Sequence, residues 1–215
     1  MFDYLDYDLI SKNPKILCGF SDSTSLTNMI TEKTGLVTFS GPTFKSFSSW
    51  ETDYSFKKFV RRFIDEDLSL CDNDERIKVI KQGKGHGQLI GGNLSLIARM
   101  TVGKYKLNFD NKVLFIEELG LEDDPAMCSG NLYFMKQNGV FEKLKGIWVG
   151  NYEHEMEISL EKILLDVLED ECSFPIIKTN NFGHIDKKIV IPIGIKVNID
   201  TNSKNKIELI EKCIK

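Results

Sequence analysis

The sequence contains no run approaching the ~20 apolar residues that carry a helix across a bilayer, so no membrane partner is expected. Nor does it have an excess of one charge. Its 28 Lys and Arg stand against 32 Asp and Glu, a net charge of −4, which provides no basic field for nucleic acid or anionic lipid. The N-terminus lacks a basic stretch before its first apolar residues and carries Asp3 and Asp6 early, so no signal peptide is expected. The five cysteines (Cys18, Cys71, Cys128, Cys172 and Cys213) are odd in number, far apart and without a CxxC pair. That pattern fits a reducing, cytoplasmic compartment with inert thiols. Histidine is scarce, and the three present share no zinc-site spacing with the cysteines, so neither a metal nor a cofactor is expected. What remains is a chain of 215 residues, 41% hydrophobic and 28% charged, the composition of a globular protein rather than a disordered one.

Short apolar runs and amphipathic segments alternate along it. Residues 6–10 read as a short helix closed by Asn13-Pro14, and residues 15–18 as a short buried strand. Gly19-Phe20-Ser21-Asp22 is a turn. Leu26, Met29 and Ile30 then recur at helical spacing, with Asp22 or Ser23 as cap and Gly35 as stop. Residues 36–39 form the next strand, stopped by Ser40-Gly41-Pro42. Residues 1–64 therefore read as a partial N-terminal α/β domain, a βαβ unit with a parallel sheet. The acidic stretch 65–80 reads as a linker, and residues 81–215 as a second domain of mixed α+β character rather than a second run of βαβ. Its signals are buried strands at Val113-Leu114-Phe115-Ile116 and Gly146-Ile147-Trp148-Val149 and an apolar stripe (Leu160, Ile163, Leu164, Val167, Leu168) for a helix over 159–170. An alternation through Ile193, Ile195, Val197 and Ile199, turning back into Ile207 and Leu209, reads as a hairpin.

Ser21 can be read in two ways. A serine on a tight turn between strand and helix resembles the nucleophile elbow of hydrolases, which raises the hydroxyl above the sheet at a helix N-terminus. Equally, Ser21 and Asp22 could simply cap that helix. The G-x-S-x-G pattern is half met, because the fifth position is Ser23. A serine nucleophile needs a base. His86 lies in the glycine-rich stretch Gly83-Lys84-Gly85-His86-Gly87, read as a flexible turn that would hold an imidazole poorly. His154 lies among Glu153, Glu155 and Glu157 and reads as a solvated loop residue. His184 sits in a loop between two strands, where it is either a well-placed base or a surface histidine. Glu117 and Glu118 end a buried strand, and either could orient a histidine or simply mark where the strand leaves the core. The order Ser21, Glu117, His184 matches that of many α/β hydrolases. The glycine-rich segment 83–93, which leads into a helix read over 94–100, fits neither GxxxxGK[ST] nor GxGxxG, so a nucleotide loop is the weaker alternative.

Several segments, taken in order, resemble one family. They are Asn13-Pro14-Lys15, Gly19-Phe20-Ser21-Asp22-Ser23-Thr24, Lys33-Thr34-Gly35-Leu36-Val37-Thr38-Phe39-Ser40-Gly41-Pro42 and Ile90-Gly91-Gly92-Asn93-Leu94-Ser95-Leu96. Leu114-Phe115-Ile116-Glu117-Glu118, Asn138-Gly139-Val140-Phe141, Phe182-Gly183-His184 and Ile191-Pro192-Ile193-Gly194 complete the set. Together they resemble the serine peptidases that comprise LD-carboxypeptidases and microcin self-immunity proteins. The resemblance implies Ser21 as nucleophile, His184 as general base, Glu117 as the acid that orients it, and the backbone N–H of Asp22 as an oxyanion donor. It implies amide hydrolysis in a cleft between the two domains, with a small peptide or peptidyl-nucleotide as partner; a homodimer is left open. The substrate implied first is the terminal D-alanine of a murein tetrapeptide, with aminoacyl-nucleotide antibiotics as the alternative. Phe141 looks closest to the second branch, although residues 65–87 hold no tryptophan to stack on a base. Family members extend further on the N-terminal side, through strands and a glycine-rich turn resembling a second oxyanion donor. The chain is accordingly expected to cover only part of the first domain, and a non-catalytic remnant of the family is the third expectation. Where the family has a Glu-Arg pair, this chain has Ser129-Gly130, and glycine there weakens a helix by ~1 kcal/mol.

Overall fold

The computed structural model describes residues 1–48, 53–65, 67–71, 77–120, 124–152, 158–169 and 172–213. Helix α1 (Tyr7–Lys12) starts on Asp6, whose carboxylate accepts the Leu9 N–H at 2.9 Å. Strand β1 (Cys18–Gly19), helix α2 (Ser23–Thr34) and strand β2 (Thr38–Ser40) follow, and β1 pairs with β2 in parallel, Cys18 opposite Phe39. This is the expected βαβ unit. Its first strand is shorter than the apolar run predicts and Ile16 is exposed, because β1 lies at the edge of its sheet and is paired along one side only. Helix α3 (Asp53–Phe63) covers this sheet through the edge-to-face contact of Phe63 with Phe39.

The larger sheet has seven strands. Strand β3 (Lys78–Lys81) begins inside the stretch read as a linker. Strand β4 (Lys84–Asn93), helix α4 (Leu94–Arg99), strand β5 (Lys112–Glu118), helix α5 (Pro125–Gln137), strand β6 (Gly146–Tyr152), helix α6 (Leu160–Leu168) and strand β7 (Ile176–Lys178) come next. Strands β8 (Ile191–Ile193), β9 (Lys196–Asp200) and β10 (Ile207–Leu209) close the chain. The larger sheet runs β10-β9-β4-β5-β6-β7-β3, with β4 to β7 parallel and the outer strands antiparallel. The mixed character is as expected, but its centre is a second βαβ series, which corrects the reading that this part holds none. The predicted hairpin is β9 and β10; Ile193, assigned to it, belongs to β8 in the smaller sheet instead.

Alternation along the parallel strands builds two cores. Ile90, Leu114, Ile116, Ile147 and Val149 face α4, α5 and α6 through Leu94, Ile97, Leu132 and Leu164. Leu89, Val113, Phe115, Trp148 and Ile177 face the other way, onto Phe182, Ile189, Ile191 and Ile195. A parallel sheet buried on both faces is what such continuous apolar runs encode. Helix α5 is continuous across the exposed Gly130, held at its start by Asp124, which accepts the Met127 N–H, and by Pro125. Among the described residues no helix is long and apolar enough to cross a membrane.

The chain crosses from one sheet to the other and back near its end. After β7 in the larger sheet it enters the smaller as β8, antiparallel to β2 with Thr38 opposite Ile193, then returns as β9. The crossing segment, residues 179–190, therefore lies between the sheets.

Candidate active site

Ser21 occupies the sharp turn between β1 and α2 at φ 56°, a left-handed conformation that costs a side-chain-bearing residue energy and marks a constrained site. The Phe20 carbonyl accepts the Ser23 N–H at 3.2 Å and the Ser21 carbonyl accepts the Thr24 N–H at 2.8 Å. The capping reading is corrected here: Asp22 is the residue before the helix, has αR backbone angles, and makes no side-chain cap bond. Ser23 is already helical. Its side chain occupies the space a Cβ on Gly19 would take, so a serine fits where G-x-S-x-G expects glycine. The exposed Asp22 has its N–H at the start of α2, and no acceptor takes it up among the described residues.

His184 comes from the crossing segment. Its Nε2 is 3.1 Å from Ser21 Oγ and its Nδ1 is 2.7 Å from Glu117 Oε2. The carboxylate can only accept, so Nδ1 carries the proton and Nε2 is left to accept from the Ser21 hydroxyl. Glu117 is 3% and His184 14% exposed at the side chain. Burial alone would lower the histidine's pKa from 6.5. The hydrogen bond and charge of Glu117, with the charge of Glu118 behind it, outweigh burial and raise it, while Lys188 opposes them.

Each partner is held in turn. The Glu117 position lies opposite a register shift between β5 and β6, the kind of irregularity that re-aims a side chain. The crossing segment is fastened by Asn151 N–H to the Phe182 carbonyl at 3.0 Å, Thr179 N–H to the Val149 carbonyl at 3.0 Å, and Trp148 Nε1–H to Thr179 Oγ1 at 2.9 Å. Gly183 takes φ 115°, and a Cβ there would sit 3.2 Å from both Cβ and Oε2 of Glu117. On its far side, Ser55 of α3 donates to the Asp186 carbonyl at 2.9 Å and accepts the Lys188 N–H at 3.0 Å.

A buried polar seam joins α2 to the larger sheet. Asn28 forms a two-way amide pair with Gly91, donating to its carbonyl at 2.8 Å and accepting its N–H at 3.1 Å. Thr24 Oγ1 accepts the Asn93 N–H at 3.1 Å. Asn93 also donates to Glu118, whose carboxylate accepts the N–H groups of Ser95 at 2.8 Å and Leu119 at 2.9 Å. Burial pushes the Glu118 carboxyl up to about 7 against the pull of those donors. Of these seam residues, Thr24, the Gly91-Gly92-Asn93 run, Ser95 and the Glu117-Glu118 pair lie in segments that carried a sequence signal. Asn28 is an ordinary helix residue until the sheet is placed against it, and Lys188 had no signal.

The remaining candidates lie elsewhere. Residues 84–93 are strand rather than flexible turn, and His86 stands exposed on β4 opposite Asn198. The segment bends no loop around a phosphate. Its glycines instead admit close neighbours: a Cβ on Gly91 would overlap the Phe115 carbonyl, and one on Gly92 would overlap Thr24. His154 lies outside the described residues. Phe141 is buried in the core rather than facing the site. Among the described residues no group of three His, Cys, Asp or Glu could hold a metal ion.

Comparison with known proteins finds relatives of the chain. Residues 1–41 match the LD-carboxypeptidase N-terminal domain and residues 86–199 match the LD-carboxypeptidase C-terminal domain. The chain is 30% identical over 223 residues to a putative carboxypeptidase, YocD, of Bacillus subtilis (strain 168), covering 93% of this chain and 68% of that protein. It is 29% identical over 208 residues to a probable murein peptide carboxypeptidase of the same organism, covering 93% of this chain and 64% of that one. It thus spans about two thirds of each relative's length. Among solved structures, MccF in complex with glutamyl sulfamoyl guanosine superposes with a TM-score of 0.84 at 25% identity, covering 99% of this chain and 72% of that chain.

Proposed function

The chain belongs to the LD-carboxypeptidase family, and from that premise we propose that it is a serine peptidase that hydrolyses the terminal amide of a small peptide through Ser21, His184 and Glu117. The observation that carries the reading is the continuous hydrogen-bonded line from Ser21 Oγ through both ring nitrogens of His184 to Glu117. Its chemistry follows from the geometry. His184 Nε2 accepts the Ser21 proton as Oγ attacks the carbonyl carbon, and the developing imidazolium is stabilised by Glu117. The free N–H of Asp22, at the positive end of α2, donates to the oxyanion. The proton on Nε2 then passes to the leaving amine, giving an acyl-enzyme ester on Ser21. Water, deprotonated by the same nitrogen, attacks that ester and returns the serine.

The substrate we favour is a murein tetrapeptide losing its terminal D-alanine; one of the relatives is named a probable murein peptide carboxypeptidase. Incubating the protein with such a tetrapeptide and following D-alanine by mass spectrometry tests it. Release is expected from the parent and a loss of at least ~10³-fold from Ser21→Ala; equal release from both would remove Ser21 from the mechanism. Because the base must be neutral, activity falls as pH drops through the raised pKa of His184, so its acid limb lies above 6.5.

The likeness to MccF bound to a glutamyl nucleotide analogue favours a second reading, an amidase acting on an aminoacyl-nucleotide. The same assay with an aminoacyl sulfamoyl nucleoside as competing substrate separates the two by which is consumed faster.

A further inference from the structure

Lys188 is four residues beyond His184 in the crossing segment and only 6% exposed. Its ammonium has no carboxylate within salt-bridge distance among the described residues. Instead, Nζ stands 3.6 Å from the centroid of the Phe20 ring, well inside the ~6 Å over which an aromatic face attracts a cation. Phe20 immediately precedes Ser21, and its ring meets the imidazole of His184 edge to face, with centroids 5.4 Å apart. Lysine, aromatic ring and imidazole therefore form one stack beside the Ser21 turn.

The charges acting on this stack are few. Glu117 and Glu118 reach the imidazole from β5 and favour its cation, while Lys188 acts against it from its own segment. Burial disfavours the ammonium of Lys188, and Glu117 and Asp186 favour it. Among the described residues, the turn between β1 and α2 contributes the Ser21 hydroxyl and the Phe20 ring, and α3 the Ser55 hydroxyl that accepts the Lys188 N–H. Without a nearby cation, two buried carboxylates would bias His184 toward the protonated form, in which Nε2 cannot accept the serine proton.

We propose that Lys188 is a positioning residue whose ammonium, stacked on Phe20, offsets the charge of Glu117 and Glu118 at His184 and so keeps the imidazole neutral and available to Ser21 near neutral pH. This rests on the reading of His184 as the base, and adds a cation that none of the matching family motifs contains.

The test is an NMR titration of the His184 Cε1–H resonance, identified among three histidines by its loss in His184→Asn, in the parent, Lys188→Met and Lys188→Arg. A neutral side chain at position 188 is expected to move the His184 midpoint upward by on the order of half a pH unit to one unit, while arginine, which keeps the charge and the stack, holds it at the parent value. Lys188→Gln is a second neutral variant for the case in which methionine does not fold. The acid limb of Ser21 phosphonylation should follow the same midpoints. An unmoved midpoint in the neutral variants, or equal movement in Lys188→Met and Lys188→Arg, overturns the proposal. Absence of phosphonylation in the parent would instead count against Ser21 as nucleophile, and the titration would still decide the role of Lys188.

Discussion

At Gly183 the backbone adopts φ 115° beside Glu117, one residue before the imidazole that Glu117 holds. A methyl group there must displace either the carboxylate or the turn. Gly183→Ala is accordingly expected to destabilise the fold by about 1–3 kcal/mol in denaturant titration and to lower kcat at least tenfold while leaving KM within a few-fold, since substrate contacts need not change. A variant with parent kcat would show that this turn does not position His184. The same scale shows where sequence reading reached its limit. At Ser21 the local sequence left two roles open, helix cap or nucleophile, and the family resemblance singled out the second; the structure removes the capping bond. The resemblance singled out Glu117, but the residues themselves did not separate it from Glu118, because successive strand residues point to opposite faces and only the packed sheet reveals which face meets the crossing segment. Glu117 meets His184, and Glu118 meets Asn93 and Ser95.

Among the elements, α2 and β4 carry most of the geometry. The helix holds the serine at its start and lies against a strand bare of side chains at Gly91 and Gly92, with Asn28 and Thr24 bonded to that strand's backbone. Gly92→Ala places a Cβ on Thr24 at φ 138°. It is expected to push α2 off β4, costing about 1–3 kcal/mol of stability and separating Ser21 from His184. The matching measurement is the rate of Ser21 acylation, which should fall more than stability alone requires; an unchanged rate in the folded variant would contradict the seam's role. The glycine-rich run was read as a turn because glycine is depleted in strands, and only the crowding of neighbouring backbone explains it as one. The second βαβ series was hidden for a related reason. The sequence places a helix over 94–100, where α4 spans Leu94–Arg99, but with the glycine-rich run before it read as a turn there was no strand for that helix to join to β5.

Considered whole, the molecule assembles its site from three places: a turn of the smaller sheet, the end of a strand in the larger, and the segment that crosses between them. Short apolar runs made β1, β2, β5 and β6 legible, and alternation the hairpin of β9 and β10. The crossing of β8 into the smaller sheet was not, since Ile191-Pro192-Ile193 continues the apolar pattern of the hairpin that follows. Arg62 braces this arrangement from α3, donating to the carbonyls of Val190 at 3.3 Å and Ser69 at 2.8 Å. A reactive Ser21 therefore requires both sheets and the crossing segment to be in register. The most direct test is intact-mass measurement after incubation with a fluorophosphonate. The account predicts a single adduct on the parent, forming more slowly as pH falls through the raised pKa of His184, and no adduct on Ser21→Ala or His184→Ala. No adduct on the folded parent, or an equal one on Ser21→Ala, would contradict it.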